Sequence, residues 1–184
     1  MADTQPDFTE QQQSSKLVYQ GSFLEVYRDE VRLPDGRTTM REYVRHPGAV
    51  MMVPLLDDGR VVLVRQFRYP LRQHFIEIPA GKIDLGESPL DTAKRELREE
   101  CGYTAASWQH LKTIHPCIGY SDERIELYLA RGLEHVGQAP DDEEFLEVLA
   151  VPLAEALAWV RAGKITEVKA VIGLMLAAEV LRGA

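Results

Sequence analysis

The hydrophobic pattern of this chain is strand-like in its first half, with short apolar runs separated by turn-forming residues. Before residue 46 the runs fall at residues 17–19, 23–33 and 38–45, and Pro34-Asp35-Gly36 separates the last two. Such a separation is typical of a hairpin turn. We therefore predict a β-rich segment over residues 16–46, which either folds over its own core or pairs with a second subunit.

The next two predicted strands carry the most apolar sequence in the chain. Residues 50–53 and 61–64 are uninterrupted apolar runs, and Asp57-Asp58-Gly59 lies between them. Continuous runs of this length indicate strands that are buried on both faces. We expect them to form the central hairpin, over residues 49–56 and 60–68. Shorter strands are expected at residues 75–79, 108–114, 124–130 and 145–151, with a turn-rich loop at 116–123.

Helical spacing appears once in the middle of the chain and twice near its end. Leu90, Ala93, Leu97 and Cys101 form an apolar stripe, which Ser88 should cap at the N-terminus and Gly102 should terminate. A second helix is predicted over residues 152–162, with Leu153, Leu157 and Val160 directed inward. A third, over residues 167–181, is apolar almost all round and should pack against the sheet or a partner. This order predicts an α+β fold with a mixed sheet between helices.

The first helix also has an acidic face, formed by Glu96, Glu99 and Glu100. Like charges at this spacing repel each other, and the last turn of a helix disfavours anions. Clustered carboxylates of this kind suit Mg²⁺ or Mn²⁺, which take oxygen ligands. The alternative from these residues alone is an ordinary capped helix with a solvated acidic face.

Composition restricts the class of protein. The chain has 184 residues, a net charge of −8 and two cysteines, Cys101 and Cys117. This length suits a single domain of 47–184 behind the β segment, and two cysteines form no disulfide framework. The acidic balance argues against nucleic acid as a partner. Residues 1–15 are polar and read as a disordered tail without signal-peptide character, and no apolar run is long enough to span a membrane. We expect a cytoplasmic protein.

The glycines, acidic residues and arginine around the first helix have a defined spacing. Gly81 is followed after five residues by Glu87, then after seven by Arg95-Glu96-Leu97, one residue, Glu99-Glu100, one residue and Gly102. This pattern resembles the complete signature of the Nudix hydrolases, which cleave nucleoside diphosphates linked to another moiety. The one soft departure is Tyr103, where an aliphatic residue is more usual. The resemblance implies an α/β/α sandwich.

Over residues 16–181 the chain resembles the ADP-ribose pyrophosphatase branch of that family. The resemblance implies a homodimer in which the N-terminal β segment is exchanged between subunits. It also implies substrate contacts from Arg41 and Glu42, and a diphosphate contact from Arg68 in Gln66-Phe67-Arg68. Arginine suits this role because its guanidinium binds phosphate oxygens in pairs. Without the resemblance, these would be ordinary surface residues on strands.

The resemblance also assigns the metal site and the general base. The implied metal ligands are Glu96, Glu100 and the backbone carbonyl of Ala80, with Glu99 as a further ligand or supporting group. Glu87 and Arg95 would orient these carboxylates, although Arg95 could equally form an intrahelical ion pair with Asp91 or Glu99. The base is implied in the acidic loop Asp142-Glu143-Glu144, with Glu144 or Glu143 favoured over Asp142; otherwise this is a solvated run of charges.

The expected reaction is Mg²⁺-dependent hydrolysis of ADP-ribose to AMP and ribose 5-phosphate, with Mn²⁺ as an alternative ion. One departure bears on the substrate, since Ile118 stands where the branch often has a proline. GDP-mannose or a broad range of nucleoside diphosphate sugars therefore stays open as an alternative substrate class. A non-catalytic Nudix domain that senses a nucleotide is a further alternative, although such domains usually lose carboxylates that this chain retains.

Overall fold

A computed structural model of the chain describes residues 6–139 and 144–183. The chain divides into two compact units. The first contains Met1–His46 together with Cys117–Glu123, and the second contains Pro47–Pro116 and Arg124–Ala184. In the described part of the chain, no helix is both long and apolar enough to cross a lipid bilayer.

The N-terminal unit is a three-stranded antiparallel sheet of β1 (Gln11–Gln20), β2 (Glu25–Arg32) and β3 (Thr38–Arg45) in the order β1-β2-β3. The predicted turn between the last two strands is confirmed, since the Leu33 amide donates to the Arg37 carbonyl over 2.8 Å. The predicted disorder of residues 11–15 is wrong, because β1 begins at Gln11 and pairs along β2. Every β1 residue is exposed. The apolar run at residues 17–19 indicates only the second part of this strand, because residues 11–16 are all polar.

The turn-rich loop at Cys117–Glu123 belongs to this unit. The Val44 amide donates to the Tyr120 carbonyl over 2.8 Å, and the Asp122 amide donates back to the Val44 carbonyl over 3.2 Å. The Asp122 carboxylate also accepts from the His46 amide at 2.8 Å. The loop thus extends the end of β3 by backbone hydrogen bonds.

In its described residues, the second unit has a seven-stranded mixed sheet, three α-helices and a short 3₁₀ helix at Tyr69–Leu71. Its strands are β4 (Ala49–Leu55), β5 (Arg60–Arg68), β6 (Gln73–Glu77), β7 (Ala80–Lys82), β8 (Tyr103–Ile114), β9 (Ile125–His135) and β10 (Leu146–Pro152). Its helices are α1 (Pro89–Cys101), α2 (Leu153–Arg161) and α3 (Val168–Arg182). The strand order is β10-β5-β4-β9-β8, with β6 on β5 and β7 on β4, and β4 runs parallel to β9.

The predicted central hairpin forms its turn but not its ladder. β4 and β5 pair with each other only at Leu55 and Val61. Beyond that point they diverge, and β6 and β7 occupy the gap: Val64 pairs with Glu77 of β6, and Met51 pairs with Ala80 of β7. The prediction of a full hairpin was therefore wrong. The prediction of burial on both faces is confirmed, because all of β4 is buried.

Two apolar clusters, one on each face of the sheet, confirm the α/β/α sandwich. Val50, Met52, Val62 and Val64 pack against Ala93, Leu97 and Cys101 of α1. Met51, Val53 and Leu63 pack on the other face against buried residues of α2 and α3. In α2 the predicted inward residues Leu153, Leu157 and Val160 are only half-buried and line an apolar groove beside α3, while Ala156 is the buried residue of α2.

Candidate metal and diphosphate site

The capping residues and the apolar face predicted from the sequence form in helix α1 as expected. The Ser88 hydroxyl accepts from the Asp91 amide at 3.2 Å, and Gly102 ends the helix in the left-handed conformation with φ 73°. Ala93, Leu97 and Cys101 anchor one face in the core, where burial also raises the pKa of the Cys101 thiol. Fixing that face determines the direction of the acidic residues, because side chains on a helix keep their angular spacing.

Two of the three acidic side chains lie in the protein interior rather than in solvent. Glu96 is 8% exposed and Glu100 is 3% exposed. The Ala80 amide donates to Glu100 Oε2 at 3.0 Å, and the Glu96 carboxylate lies against the backbone of Gly81. Both carboxylates therefore face β7, the short strand that the signature glycine belongs to.

Burial of these two carboxylates changes their acidity. Burial, and then the neighbouring Glu96 charge, raise the pKa of Glu100 to about 8, although the Ala80 amide opposes this shift. The pKa of Glu96 is also raised, chiefly by burial, while Arg95 opposes. In both cases the charged form loses hydration that the protein only partly replaces. This arrangement favours an additional positive charge nearby.

Arg95 binds the acidic residues of the signature into one network. It donates to Glu87 at 3.1 and 3.0 Å, to Glu96 at 2.8 Å and to Glu99 at 2.9 Å. Thr92 supports Glu87 by donating to it at 2.8 Å. Hydrogen bonds to Glu87 are the largest cause that raises the pKa of the Arg95 guanidinium. Arg95 thus forms both the intrahelical pair with Glu99 and the contacts that orient the other carboxylates.

The donor set fits a divalent cation in its chemistry. Residues 6–139 and 144–183 contain no group of three or more His, Cys, Asp or Glu side chains already gathered closely enough to hold a metal ion. Arg95 occupies oxygens of Glu96 and Glu99, whereas Glu100 is a buried carboxylate that no basic side chain of the described residues contacts as an ion pair. Carboxylate oxygens are the ligands that Mg²⁺ and Mn²⁺ prefer. The donor atoms of these residues therefore fit such an ion in their chemistry.

Arg68 lies at the end of β5 and is held by a residue that the sequence analysis missed. Arg68 Nε and Nη2 each donate to a different oxygen of Glu77, both at 2.7 Å. Glu77 is only 1% exposed. The same pairing is the main cause that raises the pKa of Arg68, and the charge of Glu100 adds to it. Arg68 therefore interacts electrostatically with Glu100 of the acidic pair.

The acidic loop is described in part. Glu144 raises the pKa of both Glu96 and Glu100, so its charge acts on the buried pair. Asp142 and Glu143 lie outside the described residues. Within the described part of this loop, Glu144 is a predicted candidate for the base whose charge acts on the acidic site.

The two predicted substrate residues of the N-terminal unit are engaged within that unit. Arg41 donates to Glu10 at 2.9 and 2.6 Å, and Glu42 accepts from Arg28 at 2.7 Å. Both lie on β3 and do not pair with each other. Their partners, Glu10 and Arg28, were not singled out by the sequence pattern.

Comparisons with known proteins agree with this geometry. The NUDIX domain model matches residues 45–170, and the model described as a nucleoside diphosphate sugar hydrolase N-terminal domain matches residues 10–44. The chain is 38% identical to a methanol dehydrogenase activator of Bacillus methanolicus, covering 91% of each chain. It is 39% identical to an ADP-ribose pyrophosphatase of Mycobacterium tuberculosis, covering 92% of this chain and 84% of the relative.

A solved structure extends the likeness to three dimensions. The crystal structure of an ADP compounds hydrolase superposes with a TM-score of 0.87 at 25% identity, covering 97% of this chain and 98% of the other. The family model spans the sheet, α1 and the signature carboxylates, which are the parts that build the site. The chain therefore belongs to the Nudix family and is a Nudix hydrolase.

Proposed function

We propose that this protein hydrolyses the diphosphate bond of ADP-ribose in a Mg²⁺-dependent reaction. Water adds across the P–O–P bridge: its oxygen bonds to one phosphorus, and the bridging oxygen leaves with the other phosphate. The products are AMP and ribose 5-phosphate. The observation that carries this proposal is the buried pair Glu96 and Glu100, which lies against Gly81 and Ala80, with Glu100 interacting electrostatically with Arg68. The named activity of the Mycobacterium tuberculosis relative supports the choice of substrate.

In this proposal the acidic residues of α1 bind the cation, and Arg95 fixes the positions of their carboxylates. Glu96, Glu100 and the Ala80 carbonyl would hold the ion, with Glu99 as a further ligand. When bound, a divalent ion neutralises charge on the diphosphate and lowers the pKa of a coordinated water. Arg95 keeps Glu87, Glu96 and Glu99 in fixed positions through its four hydrogen bonds to them.

The remaining residues act on the substrate and the water. Arg68 binds diphosphate oxygens, because Glu77 uses only two of the five N–H groups that a guanidinium carries. Glu144 accepts the proton of the attacking water, with Glu143 and Asp142 as alternatives in the same loop. Arg41 and Glu42 contact the substrate from β3, in a homodimer.

The substrate could instead be GDP-mannose or several nucleoside diphosphate sugars, since the chemistry at the diphosphate is the same. Mn²⁺ could replace Mg²⁺ for the same reason, because both take carboxylate oxygens. A sensor domain without catalysis is disfavoured by the retention of the buried carboxylates.

The experiment is product analysis with ADP-ribose and with GDP-mannose, each with Mg²⁺, with Mn²⁺ and with a chelator. We expect AMP and ribose 5-phosphate from ADP-ribose only when a divalent ion is present. Glu100→Gln should remove this activity and weaken metal binding. The absence of any metal-dependent product from either substrate would reject the proposal, and preferred turnover of GDP-mannose would reassign the substrate.

A further inference from the structure

Glu77 is an unusual residue for its position in the fold. It lies in β6 next to Ile78, and its side chain is 1% exposed beside Val64 of the central sheet. A buried carboxylate is unfavourable unless it is paired and hydrogen-bonded. Packing alone would favour an apolar residue here, so the presence of a charge calls for a partner or a function.

The partner is Arg68, and the geometry of the pair leaves one edge of the guanidinium available. Glu77 accepts from Nε and Nη2, whose N–H groups form one edge of the planar guanidinium. Within residues 6–139 and 144–183, no other hydrogen bond uses the two N–H groups of Nη1 or the second one of Nη2. The Arg68 side chain is 44% exposed, so this outer edge is accessible. Two parallel N–H groups on such an edge match two oxygens of a phosphate.

A second cation, Lys169, also lies near the Glu77 carboxylate. Lys169 Nζ lies 3.9 Å from Glu77 Oε2 and 2.5 Å from Glu167 Oε1. Glu167 also caps α3, since it accepts from the amides of Lys169 at 3.1 Å and Ala170 at 2.9 Å. The start of α3 is thereby tied through Lys169 to the carboxylate that holds Arg68.

Glu77 is also linked to the acidic site along the chain. Three residues after Glu77, the Ala80 amide binds Glu100 at 3.0 Å, and the next residue, Gly81, lies against Glu96. The segment Glu77–Gly81 therefore contacts the predicted diphosphate-binding arginine at one end and both buried carboxylates at the other.

We propose that Glu77 is a positioning residue, which fixes the Arg68 guanidinium so that its outer edge faces the substrate diphosphate, and that Lys169 holds Glu77 in place. This inference rests on the proposed function, in which Arg68 binds the diphosphate. A small displacement of a substrate-binding group can lower the rate about 10²-fold. A merely structural ion pair would instead affect stability and leave the kinetics unchanged.

The test is a double-mutant cycle between Glu77→Gln and Arg68→Ala, measured as kcat and KM for ADP-ribose with Mg²⁺. The amide keeps the shape of the side chain but presents a donor to an Arg68 N–H group. We expect each single variant to lower kcat/KM by about 10- to 100-fold. The double variant should be no slower than Arg68→Ala, because Glu77 acts only through Arg68. A further loss in the double variant would overturn the proposal.

Two further variants keep the test valid if Glu77→Gln does not fold. Lys169→Met removes the supporting cation at similar length, and we expect a smaller loss of kcat/KM, of about 2- to 10-fold. Glu77→Asp keeps the charge and should regain part of the activity. The control is Glu147→Gln, which breaks the exposed pair between Glu147 of β10 and Arg65 of β5, the strand that also carries Arg68, and should leave kcat/KM unchanged. Wild-type kinetics in folded Lys169→Met and Glu77→Asp would overturn the proposal.

Binding of inorganic pyrophosphate separates this inference from the proposed function. Calorimetry with pyrophosphate and Mg²⁺ measures the diphosphate contact without any turnover. If the wild type hydrolyses no nucleotide sugar, yet Glu77→Gln and Arg68→Ala each weaken pyrophosphate binding without adding to each other, the proposed function fails and the positioning role stands. If the wild type is active and Glu77→Gln binds pyrophosphate like the wild type, the positioning role fails alone.

Discussion

Gly81 and Glu96 are in such close contact that the protein has no room for a side chain at residue 81. A Cβ built on Gly81 would overlap the carboxylate of Glu96. Glycine at this position of the signature is therefore required by the approach of a buried acid to the backbone of β7, and not by an unusual backbone angle.

Gly81→Ala should impair activity more than stability. The added methyl must displace the Glu96 carboxylate, whose flexible side chain can move, so we expect a stability loss of about 1–3 kcal/mol. A displaced ligand should lower kcat/KM by about 10²-fold. Gly183→Ala is the matched control, because its new methyl would meet only ordinary contacts. Wild-type turnover in Gly81→Ala would contradict the assigned position of Glu96.

The stability of the metal-free protein should fall as the pH rises. The pKa of Glu100 is raised to about 8 in the folded protein from the ordinary value of 4.5, so the folded state holds this proton more tightly than the unfolded state. The resulting stability is fully present below pH 4.5 and is lost as the pH rises through 8, at up to about 1.4 kcal/mol per pH unit.

Urea unfolding in the presence of a chelator, between pH 5 and 9, measures this dependence. Glu100→Gln should remove much of it, because the amide does not titrate. Added Mg²⁺ should also reduce it in the wild type, by favouring the ionised carboxylate. Equal free energies of unfolding for the chelated wild type at pH 6 and pH 8 would argue against a raised pKa of Glu100.

Arg95→Lys should weaken metal binding although it conserves the charge. Lysine has no planar fork and cannot make the four hydrogen bonds to Glu87, Glu96 and Glu99. Loss of such supporting contacts typically costs about 10- to 100-fold in metal affinity. Mg²⁺ titration of activity measures this, with the exposed Arg98→Lys on the same helix as the control. An unchanged Mg²⁺ requirement would show that charge alone suffices.

The base should be found by replacing Asp142, Glu143 and Glu144 in turn by their amides. One variant should lose about 10²- to 10⁴-fold in kcat, as expected for the loss of a general base. We expect this to be Glu144→Gln, because its charge acts on both buried carboxylates. The other two variants serve as internal controls. Similar kcat values in all three variants would place the base outside this loop.

The sequence predicted those parts of the site that depend on local signals. The caps Ser88 and Gly102 and the apolar stripe of α1 are neighbours in sequence, so their spacing predicts both the helix and the direction of Glu96 and Glu100. Glu77 was missed because a single charge within an apolar strand does not reveal its partner. Only the pairing of β6 with β5 brings it to Arg68.

Strand pairing was the part of the fold that the sequence could not supply. Apolar runs indicate that β4 and β5 are buried, and the turn between them suggests that they form a full ladder. In the structure β7 and β6 pair with the diverging parts of these two strands instead. The strand β1 shows the reverse case: its backbone pairs with β2, but all its residues are exposed, so burial gives no sequence signal for it. Backbone hydrogen bonds are common to all residues, so side-chain patterns leave them undetermined.

Because β4 and β5 diverge, a substitution far from the acidic residues can still change the geometry of the site. The segment Glu77–Gly81 spans the gap between these strands, since it connects β6, which pairs with β5, to β7, which pairs with β4. Any substitution that widens or narrows this gap, such as one that repacks Leu55 or Val61, would displace both ends of this segment. The spacing between the arginine and the carboxylates is thus set by the shape of the sheet itself.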